Sequence, residues 1–386
     1  MKKYNLSSVN INNKDIKSVI KNLKSGWLAY GKKSIELEKL IKKKFNFKNV
    51  ILVNSCTNGI HASLIASGFK RGDEVLTSPF TFISTINTLF HLGAKIKLCD
   101  INLNDFNISN EEILKRQSKK TKFILPTHYG GNPIDISVLK SHLKNKKIKI
   151  IEDAATALGS RIDKKYAGSD NNSIAVFSLY SNKIITSAEG GIISTDNNKL
   201  AKKIKNLVSM GITREAWTRA NEKNSWMYDL KEPGYKYNFT DLQSALVINQ
   251  VERINLIIKK RENLRKIYMK NLSPLFKKDL ISSQKINKDV QTSNYIFPII
   301  IKTEKLKIDR DSIIQKLKEK NIFTSVHYIP CHKFDFYKKR FKKEKLTNTN
   351  YIYDRIISLP FHNKLTVNDV NNISSIVRKI ILNYEI

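Results

Sequence analysis

Lys183 closes a run of small and polar residues, Ser178-Leu179-Tyr180-Ser181-Asn182-Lys183, with Ala188-Glu189-Gly190-Gly191 soon after it. In a chain this rich in lysine any one of them is a surface residue by default. Here few charges lie nearby, and a lysine shielded from water can stay neutral and condense with a carbonyl. Asp153 ends Ile150-Ile151-Glu152-Asp153, and the small pair Ala154-Ala155 follows. A carboxylate there can hold the protonated ring nitrogen of a flat ligand, or serve as an ordinary loop acid or cap. Asn54-Ser55-Cys56-Thr57-Asn58-Gly59 offers free N–H groups and a positive dipole end before a helical stretch. Such a helix end can cradle a phosphate, although the same residues make a common N-cap. Thr127-His128-Tyr129-Gly130-Gly131 and Pro79-Phe80-Thr81-Phe82 add a histidine and an aromatic ring available for stacking; structural and core roles are the bland readings. Taken singly, none of these segments decides a function. Together they propose a phosphorylated planar cofactor, and pyridoxal phosphate needs these three contacts: a lysine amine, a carboxylate at the ring nitrogen, and hydroxyl or N–H groups for the phosphate.

These segments need a scaffold that gathers them. Short Ile-, Val- and Phe-rich runs at 49–53, 74–77, 95–99, 122–126, 147–151, 174–179 and 191–195 read as buried strands. Helix-length stretches at 59–67, 81–91, 134–143 and 199–208 separate several of them. The alternation predicts an α/β fold with a mostly parallel sheet, whose ligands sit at the carboxyl ends of the strands. The candidate segments fall just there. Residues 241–270 read as one long helix, followed by strand-like runs at 295–301 and 323–328 and helical runs at 309–320 and 367–382. The expected organisation is a large domain, 1–245, and a smaller α+β C-terminal domain, 246–386.

The 386 residues are 41% hydrophobic and 27% charged, enough for one large and one smaller packed lobe. No run approaches the ~20 apolar residues of a membrane span. The start, MKKYNLSSVN, has no apolar run behind its basic end, so no secretory leader is expected. Three widely spaced cysteines, Cys56, Cys99 and Cys331, argue against a disulfide framework or structural zinc and fit a reducing cytoplasm. The net charge is +35, with 12 arginines among the 69 basic residues. Scattered, arginine-poor charge is unlike that of a nucleic-acid reader and reads as a solvated lysine surface. His327 and His332 stand five apart with Pro330 between them, so they share no helical face. We read a loop near the substrate there, and no metal site.

In order and spacing, these segments resemble the DegT/DnrJ/EryC1/StrS family of pyridoxal-phosphate sugar aminotransferases over nearly the whole chain. The likeness runs from Ser25-Gly26-Trp27-Leu28-Ala29-Tyr30-Gly31 through Ser55-Cys56-Thr57, Gly72-Asp73-Glu74-Val75, Ser78-Pro79-Phe80-Thr81-Phe82 and His128-Tyr129-Gly130-Gly131. It continues in Glu152-Asp153-Ala154-Ala155, Phe177-Ser178, Lys183, Glu189-Gly190-Gly191, Gly234-Tyr235-Lys236-Tyr237-Asn238-Phe239-Thr240-Asp241, Val326-His327-Tyr328-Ile329-Pro330 and Ser358-Leu359-Pro360. Within the family the look is that of enzymes that aminate C4 of UDP-linked 4-keto sugars.

The resemblance implies an aspartate-aminotransferase-type fold (fold type I). It implies that Lys183 is the Schiff-base lysine, Asp153 the carboxylate at the pyridine nitrogen, and Phe82 the stacked aromatic. Thr57, Asn58 and Ser178 match the phosphate cradle. Asn238 matches a residue reaching the phosphate from the partner subunit, which implies a homodimer with shared sites. Where the family usually carries Gln or His against the cofactor, this sequence has Thr156, and Cys56 stands where Gly is frequent. His128, Tyr129, His327 and Tyr328 are expected toward the substrate, with Lys236 and Arg214 toward a nucleotide diphosphate. The implied reaction is a two-stroke exchange in the cytoplasm, with glutamate giving its amino group and a nucleotide-linked keto sugar receiving it for a surface glycan. The alternatives are a dehydratase relative, which the presence of Lys183 disfavours, and a non-catalytic polyanion-binding protein.

Overall fold

A computed structural model describes residues 2–170, 173–212, 217, 226–230 and 232–386. Seven strands form the main sheet: β1 (Asn49–Val53), β2 (Glu74–Thr77), β3 (Lys95–Leu98), β4 (Thr121–Leu125), β5 (Lys149–Asp153), β8 (Ser173–Ser178) and β9 (Gly191–Thr195). Between β5 and β8 lie two short strands, β6 (Arg161–Ile162) and β7 (Lys165–Tyr166). The sheet order is β1-β9-β8-β5-β4-β2-β3. Strands β3, β2, β4, β5 and β8 pair in parallel, whereas β9 runs antiparallel to both β8 and β1. The reason is the connection. Helices join most of the parallel strands, but only the loop 179–190 joins β8 to β9, too little chain for a crossover. β8 is mostly apolar and buried on both faces, and the β5 residues after the exposed Lys149 are buried too, Glu152 and Asp153 included, as befits strands covered by helices on either side. Lys183 sits in that short loop, and Asp153 ends the strand adjacent to β8.

Helix α1 (Asn13–Lys24) and α2 (Lys32–Phe45) precede β1. Helix α3 (Cys56–Ala66) starts earlier than its hydrophobic pattern suggests, because Ser55 caps it by accepting from the Asn58 N–H at 3.1 Å. Helix α4 (Ile83–His91) follows Phe82. The run expected as one helix over 241–270 is two, Asp241–Glu252 and Ile254–Asn271. The break falls at Arg253, whose guanidinium grips the buried Asp15 of α1 through two bonds of 2.7 and 2.5 Å.

The second sheet is antiparallel, β10 (Ile281–Ser283), β12 (Phe297–Ile301) and β13 (Ile356–Leu359), in the order β10-β12-β13. The short β11 (Val290–Gln291) pairs instead with β6. Helices Arg310–Glu319 and Val367–Asn383 cover the second sheet, completing an α+β lobe. The helix pair bridges the two cores: Val247, Val251, Ile254, Ile257 and Ile258 pack with the large sheet, Leu264 and Tyr268 with the small one. Tyr4 also packs in the small lobe's core and pairs with Ile322. The 323–328 segment, expected as a strand, makes a single bridge, Ser325 to Ser358. It then leaves the sheet, passes a cavity with His327 and Tyr328, and is tied beyond it by the Cys331 N–H, which donates to the Pro79 carbonyl at 3.1 Å.

Candidate active site

A cavity of about 500 Å³ opens where β4, β5 and β8 end, lined among others by Thr57, Phe82, Asp153, Thr156, Ser178 and Lys183. The small lobe contributes Tyr295, His327 and Tyr328. The amine and the carboxylate selected from the sequence thus share one chamber.

Asp153 is held firmly. Its Oδ2 accepts from the hydroxyls of Thr85 at 2.7 Å and Thr81 at 3.2 Å, and Oδ1 accepts from the Ala155 N–H at 3.2 Å. Thr81, just before the N-cap Phe82, and Thr85, in the first turn of α4, were not among the residues selected from sequence. They reach Asp153 across β4, which lies between β5 and β2, from whose end the chain climbs into α4. The turn Pro79-Phe80-Thr81-Phe82 thereby positions both the carboxylate and the Phe82 ring. Phe82 is 59% exposed; its phenyl stands over the cavity with only an edge contact to Tyr328 at 6.1 Å between ring centroids.

Lys183 follows a tight turn in which its N–H donates to the Tyr180 carbonyl at 3.0 Å. Its Nζ lies 4.5 Å from the centroid of Tyr295, a cation–π distance. Tyr295 is fixed in turn by its hydroxyl, which donates to Asn182 Oδ1 at 3.1 Å. Ser178 Oγ accepts from the Tyr180 N–H at 3.2 Å and sits at the end of β8 beside the α3 N-terminus. A Cβ added to Gly191 would stand 2.8 Å from the Cys56 nitrogen and the Ser55 carbonyl carbon. Glycine is therefore what lets the lysine loop close onto the helix end.

Burial lowers the His327 imidazole to about 4, with the nearby Lys183 amine adding to the effect. Its Nδ1 lies 2.9 Å from Ser358 Oγ, and its carbonyl accepts from the Tyr129 hydroxyl. Burial drives the Tyr328 hydroxyl and the Cys56 thiol well above their usual values, so both stay protonated. Tyr129 stacks on Phe80, 5.0 Å between centroids, and lines the cavity.

Other expected residues fall elsewhere. His128 is fully buried and does not face the cavity. Its Nδ1 accepts from the Ile134 N–H at 2.9 Å, so the proton sits on Nε2, 2.7 Å from Glu152 Oε2. Successive strand residues point to opposite faces, which separates Glu152 and its partner His128 from Asp153. The expected substrate contact at His128 is thus replaced by a structural one. Asn58 spends its N–H on the cap and its side chain on Asn54 at 2.8 Å, and it does not line the cavity, whereas Ser55, Cys56, Thr57 and Ser178 do. Thr156 lines the cavity, but its hydroxyl donates to the His128 carbonyl at 3.0 Å. Lys236 is exposed and outside the cavity of its own chain, as is the half-buried Asn238, whose Nδ2 donates to Ser209 Oγ at 3.2 Å. Arg214 lies outside the described residues. His332 pairs with Asn350 Oδ1 at 2.9 Å, away from His327.

A mostly parallel sheet with one reversed strand, and an amine and a carboxylate at its carboxyl ends, define the architecture of fold type I pyridoxal-phosphate enzymes. Over residues 9–378 the chain matches the model of the DegT/DnrJ/EryC1/StrS aminotransferase family, and it belongs to that family. It is 39% identical over 373 residues to protein MJ1066 of Methanocaldococcus jannaschii, covering 96% of each chain. It is 34% identical to the spore coat polysaccharide biosynthesis protein SpsC of Bacillus subtilis, over 96% of this chain and 95% of that one. Among solved structures, Helicobacter pylori PseC, an aminotransferase involved in pseudoaminic acid biosynthesis, superposes with a TM-score of 0.88 at 26% identity, covering 99% of this chain and 100% of that one. The protein is a pyridoxal-phosphate-dependent aminotransferase.

The residues present suit that cofactor. Phe82 offers an uncovered ring face, the α3 end and Ser178 offer donors for a phosphate, and the Thr127 hydroxyl at the cavity is buried without a partner. Lys183 would hold the cofactor aldehyde, Asp153 the ring nitrogen, and Thr57 and Ser178 the phosphate.

Proposed function

We propose that this chain transfers the amino group of L-glutamate to the C4 keto group of a nucleotide-linked sugar, supplying an amino sugar for a surface polysaccharide. The observation that carries the reading is the meeting of Lys183 and Asp153 in one cavity whose remaining wall comes from His327 and Tyr328 of the small lobe. The names of SpsC, a spore coat polysaccharide biosynthesis protein, and PseC, an aminotransferase involved in pseudoaminic acid biosynthesis, support the sugar as acceptor.

Bound there, pyridoxal phosphate supplies an electron sink for the carbanion formed when the donor loses its α-proton. Asp153, clamped by Thr81 and Thr85, keeps the proton on the ring nitrogen that makes this sink effective. Lys183 Nζ takes the α-proton and returns it further along the same conjugated system. His327, neutral at physiological pH, orients a sugar hydroxyl. Phe82 and Tyr328 shield the reacting face from water.

We propose that the working form is a homodimer in which Asn238 of the partner subunit completes the phosphate site. In support, Asn238 lies outside its own chain's cavity, and Ile16, Ile20 and Leu23 of α1 expose 48, 46 and 50% of their surface. The cytoplasm suits it: Cys56, Cys99 and Cys331 are free, and among the described residues no helix is long and apolar enough to cross a membrane.

The test is a panel of UDP-, dTDP- and GDP-linked 4-keto and 3-keto sugars with glutamate, reading 2-oxoglutarate release and product stereochemistry by NMR. A 4-amino sugar is expected. Turnover confined to free keto acids would overturn the reading.

A further inference from the structure

Among the described residues lining the cavity, Thr127 is the one whose buried side-chain polar atom has no hydrogen-bond partner. The residue is 8% exposed. Leaving a buried hydroxyl unpaired costs free energy, so its partner should come from what fills the cavity. The neighbouring hydroxyls are committed: Thr156 to the His128 carbonyl, Tyr129 to the His327 carbonyl, and Thr81 and Thr85 to Asp153.

The sheet order says which cofactor atom that partner is. Strands β8, β5 and β4 are consecutive neighbours, ending in Ser178, in Asp153, and just before Thr127. Thr127 is itself bridged to Asp153. Ser178 and Thr127 therefore flank Asp153 on opposite sides. In pyridoxal phosphate the phosphate arm on C5 and the hydroxyl on C3 leave the ring on opposite sides of the axis from N1 to C4. With N1 at Asp153 and the phosphate toward β8 and the α3 end, the C3 oxygen faces the β4 side.

We propose that Thr127 is a cofactor-binding residue whose hydroxyl donates a hydrogen bond to the C3 oxygen of pyridoxal phosphate. This rests on the assignment of Asp153 to the ring nitrogen and of Ser178 to the phosphate. The bond withdraws negative charge from the C3 oxygen. That oxygen holds the proton of the covalent Lys183–cofactor link, so the bond makes that proton easier to lose. Thr127 thus sets both cofactor affinity and the pH at which the visible band titrates.

The experiment compares wild type, Thr127→Val and Thr127→Ser as holoenzymes. Cofactor affinity is measured by equilibrium dialysis and the visible band is titrated with pH, with circular dichroism to confirm the fold. Thr127→Val should bind pyridoxal phosphate about fivefold to tenfold more weakly. Its band midpoint should move upward by roughly half a unit to one unit. Thr127→Ser should restore both. A folded Thr127→Val protein with wild-type affinity and midpoint overturns the proposal while leaving the cofactor assignment intact. A wild-type protein whose band borohydride does not fix at Lys183 overturns both.

Discussion

The Thr85 hydroxyl donates to Asp153 Oδ2 at 2.7 Å, across 68 positions of sequence. A side chain of helix α4 therefore sets the orientation of the carboxylate that we propose faces the cofactor nitrogen. Thr85→Val keeps the shape and removes the donor. It should weaken pyridoxal-phosphate binding by roughly fivefold to twentyfold, the scale of one hydrogen bond to a charged group, with little change in thermal stability of the apoprotein. Fluorescence titration with the cofactor reads the affinity, and wild-type binding would show that Thr81 and the Ala155 N–H suffice.

Lys183→Ala should lose at least about 10²–10⁴-fold in turnover, the range for removing a positioned acid–base group, and should no longer be labelled by borohydride in the presence of cofactor. Mass spectrometry of the tryptic peptide checks the labelling. Full turnover by this variant would remove the amine from the mechanism.

Gly191→Ala forces a Cβ to within 2.8 Å of the backbone of Ser55 and Cys56. The expected cost is about 1–3 kcal/mol of stability, with a loss of phosphate affinity because the helix end must shift. Urea unfolding combined with inorganic phosphate competition separates the two effects. An unaffected variant would mean that the lysine loop can move freely against α3.

Arg261 is a buried cation whose Nε donates to Asn363 Oδ1 at 2.8 Å and whose Nη1 donates to the carbonyls of Asn294 and Tyr295, both at 3.1 Å, and of Phe361 at 3.3 Å. Burial lowers it to about 10, still charged at neutral pH. Arg261→Met leaves several carbonyls unsatisfied, so a loss of about 3 kcal/mol or more is expected. Because Tyr295 is one of its partners, the fluorescence of bound cofactor should change as well. Calorimetry with and without cofactor provides the check.

His327 titrates near 4 in the fold against an ordinary 6.5. Between those values the unfolded chain binds more protons than the native one, so stability rises with pH across the window and is lost as pH falls from about 6.5 toward 4. His327→Gln should flatten the stability profile between pH 4 and 6.5 while leaving the slope above pH 7 unchanged. Denaturation midpoints at half-unit intervals would show it, and a profile parallel to wild type would assign the acid limb to other groups.

Much of this arrangement was legible in the chain. The runs at 49–53, 74–77 and 191–195 coincide with β1, β2 and β9, because buried strands write continuous apolar runs into sequence. Lys183 and Asp153 stood out because small residues surround them at strand ends. What escaped depends on contacts between distant segments. Nothing near His128 announces that Glu152 will take its ring, and nothing near Thr85 announces Asp153. The break at Arg253 was equally hidden, since the apolar period continues across it and the partner of its side chain, Asp15, lies far away in sequence.

Gly191 begins β9 at the point where the lysine loop meets the first turn of α3. The lysine loop and the helix end, proposed to hold the cofactor's aldehyde and phosphate, are consequently spaced by backbone packing rather than by side chains. The facing wall is built differently: His327 and Tyr328 come from the segment that leaves the second sheet after Ser325, whereas Tyr295 is tied to the lysine loop through Asn182 and Lys183, so variation that retunes acceptor preference has more room at 327 and 328 than at 295.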